Sequence, residues 1–255
     1  MGVRGTAFAS DYDGTLCQSN WETGEEHFDP AVLDAIARYQ QAGGLFGLST
    51  GRPMHPMSEC LHGIVDPDFY IVTTGAQVFD GDQNLLFERA FDLSVAKSIY
   101  EEYGLGDAGF LAITDKSFFS VGKDFSPRIR TVPSLDDVEG KLLGVSLEWH
   151  GDQEVARLAR DSMNVRYADS IEGFQNLGSV DVVAKGCSKG AGVNVVRDAL
   201  GLSCVVGIGD SYNDLTLLKE ADVSYTFHSS PQEVRDVATY VVEDLAEALD
   251  HFMAL

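Results

Sequence analysis

Asp11-Tyr12-Asp13-Gly14-Thr15-Leu16 follows directly on the apolar run Thr6-Ala7-Phe8-Ala9-Ser10. Such a run reads as a buried strand. Side chains alternate along a strand, so Asp11 and Asp13 point the same way if the extended backbone continues, and Tyr12 points away from them. A carboxylate there can attack an electrophile, and a second one beside it can pass a proton. The same residue types also make an ordinary Asx-rich turn, and the hexapeptide alone leaves both readings open.

Three further segments place reactive residue types at the ends of apolar runs or the start of a helix. Leu45-Phe46-Gly47-Leu48-Ser49-Thr50-Gly51-Arg52 ends in hydroxyls, glycine and arginine. Gly186-Cys187-Ser188-Lys189-Gly190 sets a lysine at a helix start. Val205-Val206-Gly207-Ile208 leads into Gly209-Asp210-Ser211-Tyr212-Asn213-Asp214, a second acidic pair. Singly, these have plainer readings: Ser211 and Asp214 suit a helix N-terminus, and a lysine is usually exposed. In this order the four segments resemble the four motifs of the haloacid dehalogenase superfamily. The run from Ser188 to about Val242 looks in particular like its Cof-type branch, subfamily IIB.

That resemblance implies roles residue by residue. Asp11 is the implied nucleophile, forming an aspartyl-phosphate, and Asp13 the implied general acid and base. The superfamily's phosphatases and phosphomutases carry aspartate where Asp13 stands, its ion-pumping ATPases carry threonine, and its dehalogenases lack this aspartate. Phosphoryl transfer is thereby favoured and dehalogenation disfavoured. Thr50, Gly51 and Lys189 match the positions that hold phosphate oxygens, with Lys185 a lesser rival. Arg52 completes the family's Thr-Gly-Arg and is expected to order the loop or touch substrate. Asp11, the backbone carbonyl of Asp13 and Asp210 match the ligands of a Mg2+ ion, with Asn213 and Asp214 supporting them; Mg2+ favours such oxygen donors. One departure stands out. Thr73-Thr74-Gly75-Ala76 occupies the place where Cof-type members commonly have Thr-Asn-Gly-Ala, so an amide is missing near the substrate entrance.

The elements that must position these residues follow from pattern. Asp29 caps a helix with Pro30 at its first position, Val32, Ala35, Ile36 and Tyr39 give it an apolar stripe, and Gly43-Gly44 ends it. Strands ending near Thr50 and Thr73 continue a βα rhythm, which implies a parallel sheet covered on both faces. In such a sheet ligands bind beyond the carboxyl ends of the strands, where all four motifs fall. From 78 to 181 the rhythm changes to alternating strands at 85–89, 109–114, 118–122 and 142–149, with helices at 93–103 and 153–162. From 182 it resumes, with Ser188 capping a helix that Gly201 ends, and Ser230-Pro231-Gln232-Glu233 reading as a capping box. The expected fold is α/β: a Rossmann-like doubly wound parallel sheet from residues 1–77 and 182–255, interrupted by an α+β segment at 78–181. The resemblance makes the first a catalytic core and the second a cap of the C2 type that sets substrate specificity.

Composition narrows the partners. The chain has 255 residues, 44% hydrophobic and 23% charged, with Lys+Arg 18 against Asp+Glu 40, a net charge of −22. So acidic a surface repels phosphate backbones and anionic lipid, which argues against nucleic acid and membrane. Cys17, Cys60, Cys187 and Cys204 show no CxxC and no zinc spacing, so free thiols in a reducing compartment are expected. No apolar run reaches membrane-spanning length, and no signal peptide is visible. Met1-Gly2-Val3-Arg4-Gly5-Thr6 formally fits an N-myristoylation pattern, but Thr6 already enters the first strand. His55 reads as a surface or loop residue, and Phe110, Phe118, Phe119 and Phe125 as the inserted segment's own core, while Arg128 and Arg130 could help neutralise an anionic substrate. The expectation is a cytoplasmic, Mg2+-dependent phosphatase acting on a small phosphorylated metabolite such as a sugar phosphate, with no obligate protein partner. A phosphomutase would use the same Asp11 and Asp13. A catalytically idle binding protein is the other alternative, though such a protein should have lost one of the motif residues, and none is missing.

Overall fold

In the computed structural model, which describes residues 3–20 and 23–255, the first strand is Thr6–Ser10 (β1), buried throughout. The Met1-Gly2 end of the myristoylation pattern lies outside the described residues. Gln18–Ser19 (β2) and Glu26–His27 (β3) form a small antiparallel flap. Pro30–Gln41 (α1) starts where expected: the Asp29 carboxylate accepts from the Ala31 N–H at 2.8 Å, and Val32, Ala35, Ile36 and Tyr39 are its buried stripe. Leu45–Ser49 (β4), Met54–Leu61 (α2), Phe69–Val72 (β5), Gln77–Asp80 (β6) and Leu85–Glu88 (β7) follow.

The chain then builds Leu93–Ile99 (α3), Gly109–Thr114 (β8), Phe118–Val121 (β9), Arg130–Val132 (β10), Leu142–Glu148 (β11), Gln153–Arg166 (α4), Ile171–Asn176 (β12) and Ser179–Ala184 (β13). It closes with Lys189–Leu200 (α5), Cys204–Ile208 (β14), Leu215–Glu220 (α6), Val223–Phe227 (β15), Gln232–Val237 (α7), Tyr240–Val242 (β16) and Leu245–Ala254 (α8).

The large sheet runs β16-β15-β14-β1-β4-β5-β6-β7, parallel from β16 to β5. Period-two alternation in β1 feeds two cores. Phe8 packs with Ile36, Tyr39, Met57 and Leu249 on one face, while Ala7 and Ala9 pack with Val193, Val196 and Leu217 on the other. The sheet is thus covered by α1, α2 and α8 on one side and by α5 and α6 on the other, the α/β doubly wound arrangement the pattern implies. The chain moves outward from β1 through β4 to β5, then returns to lay β14 on the opposite side of β1. That reversal opens a crevice at the carboxyl ends of β1 and β14.

A second sheet, β10-β9-β8-β11-β13-β12, is antiparallel except between β10 and β9, and α3 and α4 bury Ala96, Ile99, Ala156 and Met163 against it. Three local differences from the sequence reading have physical causes. Residues 85–88, read with the inserted strands, pair with β6 at the edge of the large sheet, so the hand-over between sheets comes after Glu88 and not at 77/78. Alternation marks a strand with one exposed face but does not say which sheet it joins. Likewise β13 pairs with β11 and β12, so residues up to Ala184 lie in the small sheet. The capping box at Ser230 does not form: its Oγ accepts from Thr226 Oγ1 at 2.9 Å, and the helix begins at Gln232 without a side-chain cap. Among the described residues no helix is long and apolar enough to cross a membrane.

Candidate active site

Asp11 leaves the end of β1 with its N–H donating to the Ile208 carbonyl of β14 at 2.9 Å, which sets its side chain in the crevice between those strands. Lys189, at the first turn of α5, is fully buried and donates to Asp11 Oδ1 at 2.6 Å and to Asp214 Oδ1. Ser188 caps that helix, accepting from the Ala191 N–H at 2.9 Å, so the lysine's position is fixed by the backbone start of α5. Gly75 has φ +84, and a Cβ there would meet the Ser188 carbonyl at 2.0 Å, so only glycine lets the β5 loop approach this helix start.

Asp11, Asp210 and Asp214 offer carboxylate oxygens that all lie within 4.8 Å of one another. Burial pushes the Asp11 carboxyl well up, Asp214 adds repulsion, and Lys189 only partly offsets them. Asp210 is pushed up to about 6, again by burial first and by Asp214 next. Burial alone would push the Lys189 ammonium down, but the two aspartates outweigh it and its pKa is raised, so it stays charged. One cation cannot balance two buried carboxylates and a half-buried third, and the surplus oxygen donors suit a hard divalent cation.

Asp214 also shapes the turn. Its Oδ2 accepts from the Asp210 and Ser211 N–H groups at 3.0 and 3.1 Å, so the capping and the acidic-cluster readings hold together. Asn213 is buried in the same turn. Gly14 and Gly209 leave room for these carboxylates: a Cβ at Gly14 would stand 3.0 Å from Asp210, and one at Gly209 2.3 Å from the Asp214 carboxyl carbon.

Asp13 goes elsewhere. Arg52 Nη2 and Nε donate to its two oxygens at 2.6 and 2.9 Å. The chain has left extended geometry after Ser10, so the expected common direction of Asp11 and Asp13 is not maintained by a strand. Arg52 also reaches Glu26 at 2.7 Å and Ser19 Oγ at 3.1 Å, tying the flap to the loop after β4. Tyr12, expected to be uninvolved, supports this cluster: its ring lies 4.6 Å from the Arg52 guanidinium and its hydroxyl donates to Glu26 at 3.0 Å.

The loop Thr50-Gly51-Arg52 is pinned from β5. Thr73 N–H donates to the Arg52 carbonyl and Thr74 N–H to the Thr50 carbonyl, each at 3.0 Å, while Thr50 Oγ1 accepts from the Arg52 N–H at 3.2 Å. Thr73 and Thr74 have φ +48 and +50, a conformation that β-branched residues rarely adopt. Their hydroxyls are buried without a hydrogen-bond partner among the described residues.

The small sheet adds a residue that motif reading passed over. Asp181 on β13 is buried, accepts from Ser146 Oγ at 2.8 Å, and has its pKa pushed up by burial, which Ser146 and Lys189 oppose. A Cβ added to Gly51 would sit 3.3 Å from Asp181 Oδ2 and 3.6 Å from Thr74 Oγ1, so a carboxylate from the other sheet faces the Thr50-Gly51 loop. The available signal was one charge inside the apolar run Val180-Asp181-Val182-Val183. Lys185, the rival lysine, is exposed and pairs with Glu172 at 2.9 Å, and Arg130 pairs with Glu139 at 2.7 Å. His55 is exposed, and all four cysteines are free thiols.

The sequence pattern of haloacid dehalogenase-like hydrolases matches residues 8–248. A 5-amino-6-(5-phospho-D-ribitylamino)uracil phosphatase from Bacillus subtilis is 23% identical over 252 residues, covering 96% of this chain and 94% of that protein. An HMP-PP phosphatase from Cronobacter sakazakii is 24% identical over 225 residues, covering 84% of this chain and 80% of its own. Among solved structures, the HAD subclass IIB sugar phosphatase BT4131 superposes with a TM-score of 0.80 at 18% identity, over 98% of this chain and 100% of that one, a likeness of fold.

Proposed function

The chain belongs to the haloacid dehalogenase-like hydrolases, and on that premise we propose that it is a Mg2+-dependent phosphatase that hydrolyses a small phosphorylated metabolite through an aspartyl-phosphate on Asp11. The observation that carries this reading is the gathering of Asp11, Lys189, Asp210 and Asp214 at the β1/β14 crevice, next to the Thr50-Gly51 loop. The names of the relatives, both phosphatases of phosphorylated small molecules, agree with it.

In the first half-reaction an Asp11 oxygen attacks phosphorus, the bond from phosphorus to the leaving oxygen breaks, and Asp13 supplies that oxygen's proton. In the second, Asp13 takes a proton from water as the water oxygen attacks the phosphoryl group, and Asp11 is released. Asp13 acting as acid or base is worth about 10²–10⁴-fold in rate. Thr50, with the backbone N–H of Gly51, and Lys189 hold the phosphoryl oxygens. Lys189 reaches them from beside Asp11, so nucleophile and anchor keep a constant separation.

Asp11, the backbone carbonyl of Asp13 and Asp210 would hold the Mg2+ ion, with Asn213 and Asp214 supporting them. When bound, it offsets the carboxylate surplus and polarises the phosphate. Arg52 grips both oxygens of Asp13 and one of Glu26, which fixes the direction in which the Asp13 carboxyl faces.

Residues 1–77 and 182–255 are proposed as chiefly the catalytic core and 78–181 as chiefly the cap. Asp181 then presents a carboxylate from the cap side to hydroxyls of the leaving group. The deciding experiment is phosphate release from a panel of sugar phosphates, nucleotides and p-nitrophenyl phosphate, with Mg2+ and with EDTA, alongside Asp11→Asn protein. Release that needs Mg2+ and disappears in the variant supports the reading. Release that persists in the variant, or no release from any compound, overturns it.

A further inference from the structure

Between the β2–β3 flap and the outer edge of the small sheet lies a cavity of about 490 Å3. Its inner wall includes Arg52, the residue that grips Asp13, and its outer wall includes Lys116, Phe118, Arg128 and Arg130. Arg52 thus borders both this cavity and Asp13.

The charge of this wall runs against the rest of the molecule. Acidic side chains outnumber basic ones 40 to 18, so a cation here ordinarily finds a carboxylate. Arg52 has Asp13 and Glu26, and Arg130 has Glu139 at 2.7 Å. Among the described residues the acids of the wall, Glu26 and Glu139, are thus already bonded to an arginine. Lys116 and Arg128 have no ion pair and no side-chain hydrogen bond among the described residues.

Arg128 is nonetheless seated. Its guanidinium lies against Gly24 of the flap, where a Cβ would stand 1.9 Å from Nη1, and its N–H donates to Ser126 Oγ at 3.3 Å. Gly24 has φ +74, so the absent side chain serves both the turn and the close approach of the arginine. Phe119 lies 5.8 Å below the Arg130 guanidinium and gives the cavity an apolar side.

We propose that this cavity binds a second anionic group of the substrate, a phosphate or carboxylate remote from the phosphoryl group that reacts at Asp11, and that Lys116 and Arg128 select for it. The inference rests on the hydrolase reading above. A net charge of −22 repels a multiply anionic metabolite, so a local pair of cations outside any ion pair among the described residues is what would retain one. The guanidinium fork fits either oxyanion with two parallel bonds, and the ammonium adds a point charge. A neutral leaving group would leave both cations unmatched.

The test compares kcat/KM for sorbitol 6-phosphate, 6-phosphogluconate and sorbitol 1,6-bisphosphate, which differ at one terminus by hydroxymethyl, carboxylate and phosphate. Wild type runs beside a Lys116→Gln/Arg128→Gln double variant, whose exposed positions spare the fold. A doubly anionic compound should be preferred by about tenfold or more, and which of the two is preferred separates carboxylate from phosphate. The preference should vanish in the double variant and shrink in wild type as salt rises to about 0.5 M. Equal or poorer use of both doubly anionic compounds, or a preference that survives in the double variant, overturns the inference. Calorimetric titration of the three compounds into Asp11→Asn protein reads the same anion preference without turnover. If nothing is hydrolysed, that titration still decides this inference, while the phosphatase reading falls separately.

Discussion

Arg52 holds Asp13 by both carboxylate oxygens, Nη2 standing 2.6 Å from Oδ1 and Nε 2.9 Å from Oδ2, while Nη1 reaches Glu26 at 2.7 Å. The orientation of the proposed acid and base is therefore coupled to the flap that carries Glu26, and Tyr12 beneath the guanidinium keeps the coupling stiff.

Arg52→Lys retains the charge but cannot make the fork, so Asp13 loses its fixed orientation. Misplacing such a group costs on the order of 10²-fold in rate. Steady-state kinetics on p-nitrophenyl phosphate should show kcat falling by about that factor. An unchanged kcat would show that the fork has no catalytic consequence.

Asp11→Asn should abolish turnover and yet raise the melting temperature of the metal-free protein at about pH 7.5. Burial and the neighbouring Asp214 raise the folded-state pKa of Asp11 well above its ordinary 3.8, against the pull of Lys189. Below 3.8 the group costs nothing; as pH climbs through its raised folded value the charge becomes a burden that the unfolded chain does not carry. The gain should accordingly fade toward about pH 4, as differential scanning calorimetry in EDTA would record. A variant less stable than wild type at neutral pH contradicts this account.

Mg2+ should raise the melting temperature more at about pH 7.5 than at about pH 5. Asp210 has its pKa pushed up to about 6 by burial and by Asp214, so between 3.8 and about 6 the folded protein binds more protons than the unfolded one. Stability from this group falls across that window as pH rises, and a cation relieves the loss where the carboxylate is ionised. At the lower pH the cation must displace a proton first. A shift of equal size at both pH values would exclude the acidic cluster as the binding place.

Thr74→Asn should stabilise the protein. Thr74 sits at φ +50 and ψ +37 with a buried hydroxyl lacking a hydrogen-bond partner among the described residues. Left-handed geometry costs a β-branched residue about 1–2 kcal/mol, and asparagine tolerates it better. A rise of about 2–4 °C per kcal/mol follows for a chain of this size. Thermal unfolding in EDTA would measure it, and a fall in melting temperature would show that the threonine is held by packing that asparagine cannot match.

Much of this molecule was legible because its signals are local. Asp29-Pro30 with the stripe from Val32 to Tyr39 specifies α1, and continuous apolar runs specify β1, β4 and β14, since period and capping act within a few residues. The resemblance placed Asp11, Lys189, Asp210 and Asp214 in one site for the same reason: each motif is short and contiguous. Where the sheets divide was less legible. Leu85–Glu88 and Ser179–Ala184 both form strands, but which sheet takes each depends on partners far along the chain.

The amino-acid sequence by itself determined the strand-and-helix rhythm, the four acidic and basic motifs and the α/β class, because propensity, periodicity and turn chemistry are properties of neighbours. Only the tertiary structure decided that Arg52 grips Asp13 while also holding Glu26, and that Tyr12 supports this cluster. It alone brought Asp181 across from the small sheet to face Gly51, and seated Arg128 over Gly24. These relations join residues tens to more than a hundred positions apart. The order of strands in two sheets and the space left by absent side chains create them, and no local pattern encodes either.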